Sequence, residues 1–323
     1  MGAKTTGLMS RYYRFFGLER DPFLDTADPY FYCELGALRK AKERLFDSVD
    51  ASRGLTVVLG EPGTGKTSLS GALEQELLAD DRVVLGKILD PSFATETEFL
   101  IAIGRVFGLA LPPRSSAALK NALKNFFFET AVLEKRTLVL VIDEAQNLSE
   151  ENLEALRLLL NYQVPQRKLL NILLFGQSEL ETRIHAKGNL ADRVDSWIRL
   201  DLLEDATLLA ILDYRLNRAG LAPGGQLFSP DARAVLAEAS GGVPRRMTMV
   251  AHLAMQEASD RASTLVLEDH VRASMASRGI VLKPKAVPVV VEAAPAPAQN
   301  GAHVQETTER PPGFFSRLFA RRA

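Results

Sequence analysis

The sequence predicts a three-layer α/β core on a mostly parallel sheet, followed by a small all-helical domain. Three observations predict it. Strand-length apolar runs alternate with longer helical patterns between residues 54 and 202, as parallel βαβ units require. A glycine-rich loop, GEPGTGKT, joins the first of these runs to a helical pattern. Beyond residue 202 the strand signals fade and helical ones dominate.

Strands are expected over 55–59, 83–88, 138–142, 171–175 and 197–202. The first, third and fourth are almost wholly apolar, the pattern of strands covered on both faces. Helices are expected after Gly65, over 97–107, over 117–133 and after Ser149, where Leu153, Leu156 and Leu160 recur at helical spacing. In the second domain the expected helices are 207–219, 230–239, 244–258 and 267–275. Ser229 before Pro230 reads as an N-cap followed by a proline at the first helical position. The chain therefore divides into an N-terminal arm (1–36), the core (37–202), the helical domain (203–280), a Pro/Ala-rich linker (281–310) and a terminal peptide (311–323). The linker's proline, alanine and polar residues carry no periodicity, which reads as disorder.

With 323 residues the chain has room for about two domains. Its net charge of -1 gives no overall attraction to nucleic acid or acidic membranes, so any such attraction has to be local. Cys33 is the only cysteine, which excludes an internal disulfide and a thiolate metal cluster. The start lacks the apolar stretch of a signal peptide. No apolar run approaches the ~18 residues of a membrane span. A cytoplasmic protein is expected, with peripheral attachment at the inner face of the membrane as an option. Gly2 and Thr6 fit a myristoylation pattern that is short enough to arise by chance.

The chemistry is concentrated at Gly60, Glu61, Pro62, Gly63, Thr64, Gly65, Lys66 and Thr67, with Ser68 next on the helix. The spacing is that of a phosphate-binding loop between a buried strand and a helix. Glycines let backbone N–H groups curl around phosphate oxygens, and the helix N-terminus adds a favourable dipole. Lys66 is then placed to bridge the terminal phosphates and Thr67 to hold magnesium. The run LVLVIDE ends a strand in two acids at the edge where open α/β sheets bind ligands. Asp143 is the second magnesium candidate, and Glu144 the general base for an attacking water. ATP and Mg2+ are the implied cofactors, and Glu144 argues for hydrolysis beyond binding.

Weaker elements complete this site. Gln177 follows the strand 171–175 and is suited to orient the lytic water or the terminal phosphate; a loop glutamine bonded to backbone is the plainer reading. Arg245 opens a helix in GVPR and can reach back over the phosphates. An arginine supplied from a neighbouring copy is also expected to stabilise the transferred phosphoryl. Arg193 is the first candidate, ahead of Arg183 and Arg199, although pairing with Asp192 or Asp195 explains it nearly as well.

These segments resemble a known family. The opening FFGLERDPFLDTADPYF, then GEPGTGKTSL, VLVIDEAQNLS, LEALRLLLN, LLFGQSEL, LFSPDA and SGGVPRRM are similar to the AAA+ domain of the general secretion pathway A proteins (GspA/ExeA-like ATPases), from about Tyr12 to Met275. The resemblance implies a P-loop NTPase (AAA+) fold whose helical domain is a lid. It puts Gln177 at the first sensor position and Arg245 at the second. It also implies that the arm lines the adenine pocket, so Pro22 and Phe23 either approach the base or simply pack the arm onto the core. Typical members continue into a transmembrane helix and a wall-binding domain, which this sequence does not show.

At the terminus, Phe314, Phe315, Leu318 and Phe319 share a helical face flanked by Arg317, Arg321 and Arg322. Such a peptide suits an anionic membrane interface or a partner groove. The expected role is a homo-oligomeric ATPase that assembles or regulates a membrane-associated secretion, pilus or surface-polysaccharide system. The alternative is a DNA-binding ATPase of the transposition target-selector type. For it the sequence offers only the basic stretch 39–44 with Lys120 and Lys124, which a solvated helix face explains as well, so DNA is the less favoured partner.

Overall fold

The computed structural model describes residues 12–24, 28–111, 115–165 and 167–280. The Gly2 pattern, the linker and the terminal peptide lie outside the described residues. The centre is a five-stranded parallel sheet formed by β1 (Leu55–Gly60), β2 (Val83–Ile88), β3 (Thr137–Ile142), β4 (Asn171–Gly176) and β5 (Val194–Leu200), in the order β2-β3-β4-β1-β5. β1 and β4 are buried at every position. Successive side chains point to opposite faces, as strand geometry dictates. Val57, Leu140, Ile142 and Leu174 feed one apolar layer. Val58, Val139, Val141 and Phe175 feed the other.

Helices α1 (Gly36–Asp50) and α2 (Lys66–Leu77) contribute Leu45, Leu69 and Leu73 to the second layer. The first layer is completed by α3 (Glu96–Val106), α4 (Ser116–Phe128), α5 (Glu150–Leu159) and α6 (Ser178–Ala186). Thr95, Ser115 and Ser149 cap the first three by accepting N–H bonds in the first turn. The lid consists of α7 (Asp205–Arg218), α8 (Pro230–Ser240), α9 (Pro244–Asp260) and α10 (Glu268–Ser277).

Three expectations need correction. The helix expected over 117–133 ends as an α-helix at Phe128 and continues as one π-helical turn, Glu129–Leu133, closed by the Glu134 N–H on the Glu129 carbonyl at 3.0 Å. The wider turn keeps both Phe127 and Ala131 buried, a change of pitch that apolar spacing does not reveal. The last strand starts at Val194 because Val194 pairs with Leu55, and it stops at Leu200. Leu202 is exposed and belongs to the connection into the lid. The basic stretch 39–44 is not simply a solvated face. Lys42 is 6% exposed and paired with Glu34 and Glu76, which ties α1 to the arm and to α2.

The arm is built into the lid. Tyr12, Leu18, Phe23, Phe31 and Cys33 share one apolar cluster with Leu212, Leu236, Met247 and Val271. Polar contacts fix the same attachment. Arg215 donates from Nε to the Pro22 carbonyl (2.7 Å) and lies 5.0 Å from the centre of the Phe31 ring. Tyr30 carries the guanidinium of Arg218 at 3.9 Å and that of Arg20 at 4.4 Å. Cations over aromatic faces are attracted by the ring quadrupole.

Candidate nucleotide site

β1 delivers the chain to the phosphate loop, and the loop's conformation needs its glycines. Gly63 and Gly65 have φ of +85° and +103°, a region that L side chains avoid. A Cβ on Gly63 would stand 2.8 Å from Val243 Cγ1 and 3.0 Å from Arg245 Cβ, so the lid touches the loop at its tip. Thr64 is buried and donates its hydroxyl to the Glu61 carbonyl (2.8 Å), which closes the turn. Lys66 opens α2 with its ammonium on the carbonyls of Gly60 (2.7 Å) and Glu61 (3.1 Å). Burial holds this ammonium below the ordinary lysine range, against the opposing charges of Glu144, Asp143 and Glu61.

β3 leads directly into Asp143, 2% exposed, whose N–H donates to the Ile88 carbonyl at 2.8 Å. Burial raises its carboxyl above the usual range, and bonds from the Glu144 N–H and the Thr67 hydroxyl oppose the rise. A hydroxyl and a buried carboxylate in contact form a hard oxygen donor pair that fits magnesium, which takes its remaining ligands from water and phosphate. Among the described residues no cluster of three or more His, Cys, Asp or Glu forms a site made of protein ligands alone. Glu144 follows in the left-handed region, φ 47° and ψ 37°. A non-glycine residue there costs about 1–2 kcal/mol and persists where its surroundings hold it.

The cleft above the loop measures about 330 Å³. Pro62, Gly63, Gly65, Lys66, Thr67, Ser68, Glu144, Gln177 and Arg245 line it from the expected set. Leu24, Ile211, Arg215, Pro244 and Thr248 line it without having been expected. Ile211 and Arg215 are one turn apart on α7, a spacing that also describes an ordinary core face, so neither residue stands out in the chain's pattern. From the arm it is Leu24 that faces the cleft. Pro22 is held by Arg215 through its carbonyl, and Phe23 is buried in the lid cluster.

The three candidate arginines separate clearly. Arg183 is used internally, donating to the Gln146 carbonyl (2.6 Å), the Leu148 carbonyl and Glu150 (2.9 Å). Arg199 is paired with Glu181. Arg193 makes no ion pair among the described residues, since Asp195 pairs with Arg53 at 3.8 Å. It precedes β5, whose Leu200 lies beside Gly60 while Val194 lies beside Leu55. Arg193 therefore sits at the far edge of the sheet, roughly 20 Å along the strand from its own phosphate loop.

Comparison with known proteins agrees with this geometry. Residues 49–184 match the AAA domain family. The fold is shared with the ORC2 protein of Aeropyrum pernix (TM-score 0.60, 16% identity, 80% of this chain and 71% of that one). It is shared too with Cdc6p of Pyrobaculum aerophilum (TM-score 0.62, 18% identity, 81% and 70%). At such identities the likeness speaks for fold alone. Fold, cleft and family match define a P-loop ATPase of the AAA class, an ATP hydrolase. One relative is general secretion pathway protein A of Aeromonas hydrophila, 32% identical over 265 residues, so over that stretch this chain is similar to the GspA/ExeA-like AAA ATPases. The match takes in 80% of this chain and 47% of the relative, so the chain spans about half the relative's length.

Proposed function

We propose that this ATPase hydrolyses Mg·ATP to drive the assembly or regulation of a membrane-associated secretion, pilus or surface-polysaccharide system. The observation that carries the biological role is the relation to general secretion pathway protein A. In the cleft, the loop N–H groups and Lys66 take the phosphates, and Thr67 and Asp143 take the metal. The metal supplies neutralisation of phosphate charge when bound. Glu144 accepts the proton of the attacking water, Gln177 orients that water or the terminal phosphate, and Arg245 follows lid closure. The base rests against Leu24, Ile211 and Thr248, with Pro22 and Phe23 supporting that wall.

Arg193 acts on a neighbouring copy, because its own cleft is at the other edge of the sheet; the working form is a homo-oligomer. The peptide 311–323, with Phe314, Phe315, Arg317, Leu318, Phe319, Arg321 and Arg322, docks onto an anionic membrane surface or a protein partner. Among the described residues no helix is long and apolar enough to cross a membrane.

The test is ATP hydrolysis by wild type and Glu144→Gln, alone, with anionic liposomes and with double-stranded DNA. Stimulation by liposomes, lost on deleting 311–323, supports the membrane role. Stimulation by DNA that collapses with salt replaces it with a nucleic-acid role.

A further inference from the structure

We propose that Gln146 is a positioning residue for hydrolysis: its amide holds one oxygen of Glu144 and fastens it to the backbone of Gln177. The inference rests on the reading of Glu144 as the general base. Gln146 Nε2 donates to Glu144 Oε2 at 2.5 Å, and Gln146 Oε1 accepts the Gln177 N–H at 3.2 Å. The two contacts fix the amide's orientation. A backbone N–H can only donate, so the amide oxygen faces Gln177 and the amide nitrogen faces the carboxylate. With Oε2 engaged, the other oxygen of Glu144 is left to accept from water.

The surroundings are built for this bridge. A Cβ on Gly176 would stand 2.6 Å from Leu180 Cδ2 and 3.3 Å from Gln146 Oε1, so the glycine leaves room for both side chains. Arg183 holds the main chain of the same loop at the carbonyls of Gln146 and Leu148. Glu144 needs such support, because its backbone is in the left-handed region. At the other end of the bridge, Ser178 donates to Glu61 Oε1 at 2.8 Å. One turn of chain at the start of α6 thus touches both the phosphate loop and the loop that carries the base. A general base displaced by about 1 Å costs on the order of a hundredfold in rate.

The experiment measures kcat, KM and nucleotide affinity for wild type, Gln146→Leu, Glu144→Gln and the double variant, with single-turnover assays for the slow ones. We expect Gln146→Leu to lower kcat by about 10- to 100-fold with affinity within about twofold. The double variant should be no slower than Glu144→Gln, because Gln146 acts only through that carboxylate. Gln146→Asn keeps the polarity but is too short to span both contacts. It should show the same kcat loss with wild-type melting, which covers a Leu variant that folds poorly. Unchanged kcat in both Gln146 variants overturns the proposal. So does a kcat loss matched by an equal loss of affinity, or one that adds fully to that of Glu144→Gln. Wild-type turnover by Glu144→Gln itself removes the reading of the base, and the proposal with it.

Discussion

The backbone N–H of Arg245, in the first turn of α9, donates to the carbonyl of Gly63 at the tip of the phosphate loop, 3.3 Å away. Lid and loop are therefore in direct main-chain contact, and Gly63 leaves the room for it. Gly63→Ala would add both a clash with Val243 and a left-handed alanine. The backbone cost alone is about 1–2 kcal/mol. We expect a lower melting temperature and nucleotide binding at least about tenfold weaker, read by fluorescent-nucleotide titration. Wild-type affinity in that variant would show that the lid does not need this contact.

Glu144→Gln retains the shape of the cleft and removes the base. The expected result is ATP binding within about twofold of wild type and a kcat lower by about 100-fold or more. Equal losses in both quantities would mean that the carboxylate contributes to binding rather than to the chemical step.

Arg193 and Lys66 belong to different edges of one sheet, so their losses should complement. Arg193→Ala and Lys66→Ala should each be inactive, the former by about a thousandfold. Mixing them should recover activity, since some interfaces then pair an intact loop with an intact arginine. No recovery at any mixing ratio argues against action between copies.

Acid should loosen the arm through His252. Tyr12 donates its hydroxyl hydrogen to Asp21 Oδ1 at 2.5 Å, so the 2.9 Å contact with His252 Nδ1 requires an N–H on that nitrogen. Burial lowers the imidazole's pKa; Asp21 opposes this and Arg278 adds to it. Folding therefore favours the neutral ring. The stability it brings is present above the ordinary imidazole value of ~6.5 and is lost as pH falls toward the folded value. Between about pH 7.5 and 5.5, the melting temperature of wild type should fall further than that of His252→Gln. Parallel curves for the two proteins would exclude the ring as the source.

What could be read from the sequence follows from how local each signal is. The phosphate loop and the Asp143–Glu144 strand end are local patterns with a fixed spacing, and both are where the sequence puts them. The helix start after Ser149 and the cap at Ser229 are equally local and equally legible. The fusion of arm and lid was not, because Tyr12 meets His252 across 240 positions and nothing near either residue announces the other. Arg183 was misread for the same reason: its partners are carbonyls of a loop 35 to 37 residues upstream, which a side-chain inventory does not show. Gln146 carries no periodicity and no motif spacing of its own, and only the folded loop brings it against Glu144.

The shared cluster of Tyr12, Leu18 and Phe31 with the lid helices has a mechanical consequence. A load applied at Tyr12 reaches α7 and α9 before it reaches any strand of the sheet. Tethering the molecule by that end would pull first on the gate over the nucleotide. Release of spent nucleotide would then respond to tension.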